Sequence, residues 1–369
     1  MKVITPDFYN AFHCIAGACT DSCCRQGWQI AVDDAHLEWY SKLTGELGQR
    51  IRAGLETIDG DTVFRMEGGT CRLLDADGLC AIAKVHGEAS LCHLCHTHPR
   101  FIEGYGGTKE IHLSLQCPEA ARLTLDREAP ISLVETFCDD EVVPCEIDPD
   151  EYMALMEFRK CCISLLQQRR IHINDRFVLL LQFARWAQNL LDDGKYTLSK
   201  ALCQKFRNHI FLQRQLASMG RLRQKGTSFL PEITLLRSLE HLTEEFPALL
   251  HKAVFTARSS ASFDTARSVQ MEHLAVSYLA HYIPKAVNDG RIDTKIRLAV
   301  LLCLTVRRIC VCEKKESVLD VSHFAGLLAK EIEHSDENMA ALYAALECPG
   351  WHEQLAAQLD PRKGENYAI

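Results

Sequence analysis

The stretch DPDEYMALMEFRKCCISLL (148–166) marks where the chain changes character. Asp148 is a good N-cap, Pro149 suits the first helical position, and Glu151 stands where a capping-box carboxylate would. Tyr152, Leu155, Met156, Cys162 and Leu166 then follow helical spacing. The pattern recurs downstream. Asn174 or Asp175 could cap a helix running through Phe177–Leu191 and ending at Gly194, and Ser199 could open another that reaches Met219 before Gly220. Further helices are expected around Pro231–Glu245, Phe263–Tyr282, Lys295–Cys312, His323–His334 and Asn338–Leu346. Ser259–Ser262 reads as an interhelical loop and the tail from Asp360 as frayed. No repeat of fixed period supports a helical solenoid.

Upstream of Asp148 the sequence is rich in Gly, Cys and His and weakly periodic. Thr62–Met66 is strand-like. Cys71–Leu74 and Leu79–Ile82 flank Asp75-Ala-Asp-Gly78, a good hairpin turn. In Ile111–Cys117 apolar residues alternate, which would put Cys117 on the face of Leu113 and Leu115 if extended. The fold class expected is therefore mainly α. An irregular Cys-rich metal-binding region with short β-hairpins, over 1–147, precedes a multi-helix domain over 148–369 that could dock a substrate.

Bulk properties narrow the function. Of 369 residues, 47% are hydrophobic and 24% charged, the balance of a soluble globular protein. MKVITPDFYNAF lacks the basic-then-apolar pattern of a signal peptide, and the longest apolar run, Leu298–Val306, is far too short to span a bilayer. A cytoplasmic location without membrane association is expected. The net charge of −8 argues against a nucleic-acid partner and fits a cationic substrate slightly better.

Cysteine is the outlier. The chain has 18, and Cys14, Cys19, Cys23, Cys24, Cys71, Cys80, Cys92, Cys95, Cys117, Cys138 and Cys145 all precede the helical part. A reducing compartment disfavours a disulfide framework, so metal ligation leads. Zinc wants two ligand pairs and an iron–sulfur cluster usually wants four thiolates. Adjacent Cys23 and Cys24 point apart, so one could ligate while the other packs, or two centres could exist. His93, His96 and His98 could complete a Cys/His zinc site, although a polar turn explains them as well. Cys138, Cys145 and the later cysteines read equally well as small buried hydrophobes. The C-x3-C-x2-C signature of radical chemistry is missing, because Gln26 stands where its third Cys would. Gly104-Tyr-Gly-Gly107 lacks the strand–helix setting of a dinucleotide turn.

Four ordered blocks carry a resemblance. They are Phe12-x-Cys14-x4-Cys19-x-Asp21-x-Cys23-Cys24-x2-Gly27-Trp28, then Cys71–Cys80, then Cys95–Arg100, then Leu113–Arg122. Together, within residues 8–125, they resemble the flagellin lysine-N-methylase (FliB) family and the wider group of Cys-rich zinc- or iron-chelating proteins. The helical remainder is similar only in general character, including Glu272–Tyr278. His98 stands where the family has Tyr, and Cys92 is an addition. The resemblance implies a methyltransferase that modifies lysine side chains of flagellin with S-adenosylmethionine. It also implies an iron–sulfur cluster, of the 4Fe-4S kind, with zinc as the alternative. The matched cysteines, and so the candidate metal ligands, are Cys14, Cys19, Cys23, Cys24, Cys71, Cys80, Cys95 and Cys117. A non-catalytic metal-binding or metal-stabilised interaction protein is the competing class. Methyl transfer needs a neutral amine, and a free lysine with pKa near ~10.4 is protonated at neutral pH. A proton acceptor is therefore required. Asp21, Asp75, Asp77 and Glu119 lie in the matched blocks, each read more simply as a turn or surface residue.

Overall fold

The computed structural model describes residues 1–139, 146–224, 229–255, 265–315 and 317–359. Cys145, the expected loop at 259–262 and the tail from 360 lie outside the described residues. Their sequence neighbours form a mainly helical protein with a small strand-containing N-terminal part.

The N-terminal part holds a four-stranded sheet. Its order is Arg100–Tyr105 (β2), Thr108–Leu113 (β3), Lys2–Pro6 (β1) and Leu133–Phe137 (β4). β1 runs parallel to β3, and the other pairs are antiparallel. Gly106 and Gly107, both at positive φ, close β2 onto β3. Two residues in the left-handed region are what a tight hairpin needs, so this glycine run is a turn and not a nucleotide loop. Extended geometry ends at Leu113. Ser114 N–H then bonds the carbonyl of Pro99 at 2.8 Å, and Cys117 leads into helix α1, Pro118–Leu125, with proline in its first turn. The expected run of strand through Cys117 thus breaks. Leu113 and Cys117 still pack in one small cluster with Phe12, while Leu115 enters the main core.

The Cys-rich lobe is less irregular than its sequence suggests. Helices Asp34–Lys42 and Gly45–Ala53 lie within it, with a two-stranded hairpin of Leu55–Ile58 and Asp61–Phe64. The Asp75–Gly78 turn forms as expected: Gly78 N–H bonds Asp75 O at 2.9 Å, and Leu74 bridges Cys80. After that bridge the chain turns into a short helix, Ala81–His86. The lobe has its own core, around Val32, Tyr40, Ile51, Phe64, Leu73 and Ile82.

Beyond Asp148 the chain is helical. The Asp148 carboxylate accepts from the N–H groups of Asp150 and Glu151 to start α2, Pro149–Leu166. Glu151 does not complete a capping box; that motif is made by Ser317 and Asp320 instead. Helix α3 is Ile173–Asp192, α4 Thr265–Lys285, α5 Ile292–Glu313 and α6 Val318–Glu333. α5 packs against α3, α4 and α6 and carries apolar side chains on nearly every face, which only a central helix can bury. Two expected helices divide. The run from Ser199 breaks at Asn208, whose side chain accepts from Phe211 N–H at 3.0 Å and caps a new helix from His209. The run from Pro231 stops at Arg237; the buried Glu331 carboxylate then accepts from Leu242 and Thr243 N–H before a separate helix starts at Glu245.

The buried Glu272 carboxylate on α4 fixes α3 and the turn before it. Arg176 donates to it at 2.7 Å and Arg169 at 2.8 Å. Glu272→Ala is expected to leave Arg176 as an unpaired buried cation, costing about 3–5 kcal/mol of unfolding free energy. A urea unfolding curve with an unchanged midpoint would contradict that role.

Candidate functional site

The thiols of three remote stretches gather. The turn at Ala16–Ala18 lies against the Asp75–Gly78 turn so closely that a Cβ on Gly17 would stand 2.8 Å from the carbonyl oxygen of Asp77. Gly27 N–H bonds Gly69 O at 2.9 Å, holding the Cys23–Cys24 turn against the strand ending at Cys71. The Asp33 carboxylate accepts from His93 N–H at 2.8 Å, and Tyr40 donates to Ser90 O, which seats the Cys92–Cys95 turn.

Two sets result. In the first, Cys14, Cys19, Cys23 and Cys117 lie close enough for like-charge repulsion among them; burial is the larger effect raising the thiol pKa of Cys19 and Cys117. In the second, Cys24, Cys71, Cys80, Cys92 and Cys95 share the core of the lobe. Burial pushes Cys71 up to about 11 and also raises Cys80. Within each of two pairs, one thiol stabilises the thiolate of the other. A hydrogen bond from Cys24 lowers Cys23, and one from Cys95 lowers Cys92. The added Cys92 therefore lies among the matched cysteines. Cys23 and Cys24 do not point apart as expected, and their contact joins the two sets. Cys161, Cys162, Cys203, Cys303 and Cys310 are buried in the helical body, away from both sets, as small core residues.

All described cysteines are free thiols. Soft, unbridged thiols gathered from remote segments are the donor type that zinc and iron–sulfur clusters take. Their side chains do not form a closed coordination shell: among the described residues, no three or more His, Cys, Asp or Glu side chains are grouped as a metal ion requires. The histidines do not supply the shortfall. His93 is exposed, the His96 ring bonds Glu88 O at 3.2 Å, and His98 turns toward His334.

The carboxylates of the matched blocks are tied in ion pairs. Asp75 pairs with Arg50 and Lys84, Asp77 with Lys84, and Glu119 with Arg122. Asp21 is the informative one, because Lys330 of α6 reaches it at 2.5 Å. That bond begins a polar seam joining the first thiol set to the helical body. Gln26 donates to Asp21 and accepts from Trp28 Nε1 at 2.7 Å and from Gln116 at 2.9 Å. The Trp28 ring meets His334 edge-on with centroids 5.1 Å apart.

Past this seam lies a cluster that no sequence motif marked. Phe101 stacks on His281 at 4.5 Å and on His334 at 5.9 Å. Glu333, at the end of α6, accepts from Tyr282 at 2.8 Å and from Ser114 at 3.3 Å. Burial, outweighing those bonds and the nearby Lys285 cation, pushes its carboxyl up to about 7. Burial also lowers His98 and His334 to about 4, so both rings are neutral at physiological pH. Sequence separation hid this group: Ser114, Tyr282 and Glu333 come from three elements and form no spacing pattern.

A helical body with a thiol-rich lobe seated on one helix end is the architecture these residues define. Over residues 159–355 the chain matches the FliB lysine N-methylase C-terminal domain, and it belongs to that family. It is 28% identical over 214 residues to the lysine-N-methylase of Salmonella choleraesuis, covering 53% of this chain and 51% of that protein. The lysine-N-methylase of Salmonella typhimurium is 28% identical over 216 residues, with the same coverage. The flagellar biosynthetic protein FliU of Salmonella muenchen is 31% identical over 152 residues, covering 37% of this chain and 85% of that protein. The chain spans about half the length of the lysine-N-methylases it matches. No solved structure matches it. Among the described residues, no helix is long and apolar enough to cross a membrane.

The lowered His98 and His334 pKa values have a pH consequence. Below the ordinary histidine pKa near ~6.5, the unfolded chain binds protons that these buried rings refuse, so stability declines as pH falls from that value toward about 4. His334→Gln should flatten this decline in urea midpoints measured across that window. An identical decline in the variant would show that the ring is not the source.

Proposed function

We propose that the protein is a protein-lysine N-methyltransferase that moves methyl groups from S-adenosylmethionine to lysine side chains of flagellin in the cytoplasm. An inorganic centre, an iron–sulfur cluster ahead of zinc, would be held by Cys14, Cys19, Cys23 and Cys117, by Cys24, Cys71, Cys80 and Cys95, or by both sets. Membership of the FliB family supports the reaction. The names of its relatives, lysine-N-methylase and flagellar biosynthetic protein, support a lysine substrate in a flagellar context. The observation that carries the reading is the gathering of the matched thiols beside an aromatic-lined cluster in which one carboxyl is held by two hydroxyls.

Direct transfer from a sulfonium to an amine is an in-line displacement without redox change, so an inorganic centre is not needed to move electrons. When bound, such a centre would cross-link segments that a small core alone holds weakly. The chain's own residues have the harder task, which is to accept a proton from a lysine and exclude water from the amine. Trp28, Phe101 and the neutral His98 and His334 rings offer a weakly polar wall suited to the stem of a lysine. The helical body supplies the frame for that wall; its apolar residues are consumed in packing against one another.

The test is to purify the protein without oxygen, measure iron, sulfide and zinc, and incubate it with S-adenosylmethionine and flagellin. One-methyl mass steps on flagellin lysines and a brown, iron-containing protein are expected. A colourless zinc protein that leaves flagellin unchanged would favour a non-catalytic metal-binding role. Cys19→Ser and Cys80→Ser test the two thiol sets separately. Loss of metal and a lower melting temperature are expected for a set that ligates, and full metal retention in both variants would refute the ligand assignment.

A further inference from the structure

Resting on the methyltransferase reading above, we propose that Glu333 is the proton acceptor for the target lysine. The residue combines three properties that the other buried carboxylates do not. Its oxygens are held by two hydroxyl donors, Tyr282 and Ser114, and by no guanidinium, so the carboxylate is not locked in an ion pair. The residue is partly exposed, while its carboxyl lies deep enough for burial to govern its titration. It also directly precedes His334, whose ring meets Trp28 on one side and Phe101 on the other.

The alternatives fail on one of these points. Glu272 and Glu110 are clamped by arginine, at 2.7 Å from Arg176 and 2.6 Å from Arg159. Glu331 spends its oxygens on the backbone of Leu242 and Thr243. Glu232 is also pushed up to about 7 by burial, but it is completely enclosed and bonded to Gln354.

The charged and titratable groups around Glu333 suit the role. From α4 come Tyr278, Tyr282, His281 and Lys285, from the turn after β3 comes Ser114, and from the helix Asp336–Glu347 comes Tyr343. His334 follows in sequence and is neutral, as is His281, whose pKa burial holds well below normal. Lys285 is the one cation among them, and Glu103 at 2.8 Å partly neutralises it. A carboxyl with pKa about 7 is closer to the amine pKa of ~10.4 than an ordinary carboxylate, which is the match that efficient proton transfer favours.

The step balances as follows. A proton passes from the lysine ammonium to a Glu333 oxygen, giving the carboxylic acid and leaving a lone pair on Nζ. That lone pair forms the N–C bond to the sulfonium methyl while the C–S bond breaks, its electron pair staying on sulfur as a neutral thioether. The Glu333 proton then returns to solvent.

The test is the pH profile of kcat on flagellin and S-adenosylmethionine, using anoxically purified full-length protein. The wild type should show kcat rising with pH through a limb near 7, the ionised carboxylate being the active form. Glu333→Gln keeps the shape and should retain metal content, but it should lower kcat on the order of 100-fold or more and abolish the limb. Glu333→Asp should restore part of the rate. Tyr282→Phe removes a donor to the carboxylate, so its limb should move to higher pH even if Glu333→Gln does not fold. A wild-type rate and limb in Glu333→Gln, or an unmoved limb in Tyr282→Phe, would overturn the assignment while leaving the methyltransferase reading intact. A wild-type protein that methylates no flagellin lysine at any pH would overturn both.

Discussion

The candidate site depends on one close approach, between the backbone after β3 and helix α6 at Gly326. A Cβ at that position would stand 3.0 Å from the carbonyl oxygen of Leu115. Glycine in a helix interior costs about 1 kcal/mol relative to alanine, and the contact it permits accounts for its presence. The approach sets the positions of residues on both sides. Ser114 reaches Glu333, Gln116 joins the seam to Gln26 and Trp28, and Cys117 arrives beside Cys14, Cys19 and Cys23. One backbone contact therefore places a thiol donor and a carboxyl partner within four residues of each other.

The thiol-rich lobe and the helical body are consequently not independent. Leu115, Ala121, Leu125 and Ile131 pack into the same core as α2 to α6, while the lobe between Gly27 and Cys95 keeps a smaller core of its own. The Asp21–Lys330 pair, just before that lobe, and the contact of Trp28 with His334, the residue that caps α6, pin the thiol-rich part to the helical body. This gives a physical reason for a large helical body: chelation alone would not need it, but holding a thiol lobe in fixed register against the Glu333, Tyr282 and Ser114 cluster does.

Much of this was legible in the sequence, for local reasons. Helix starts at Asp148 and in the long apolar runs carry their own caps and spacing, and the density of cysteines before Asp148 marked out the lobe in which the thiols gather. Helix ends were less legible. Asn208 interrupts an unbroken helical pattern because its side chain competes for the backbone, and Glu331 halts another run from almost ninety residues away. The helices Asp34–Lys42 and Gly45–Ala53 are short and hidden among glycines and cysteines. Glu333 was out of reach altogether, since its character comes from burial by Tyr282, Ser114 and their neighbours and not from its own sequence context. The family blocks seen in residues 8–125 and the family match over residues 159–355 lie on opposite sides of the seam, and both are needed to describe the site.

The central claim is that the Gly326 contact holds the thiols and the carboxyl cluster in one site. Its most direct test is Gly326→Val, assayed together for bound metal and for methyl transfer to flagellin, with circular dichroism to follow the helical body. A branched side chain there must push the turn at Leu115 away, so metal content and transfer should fall together while helical content stays near wild type. Retention of both at wild-type levels, in a folded variant, would contradict the account.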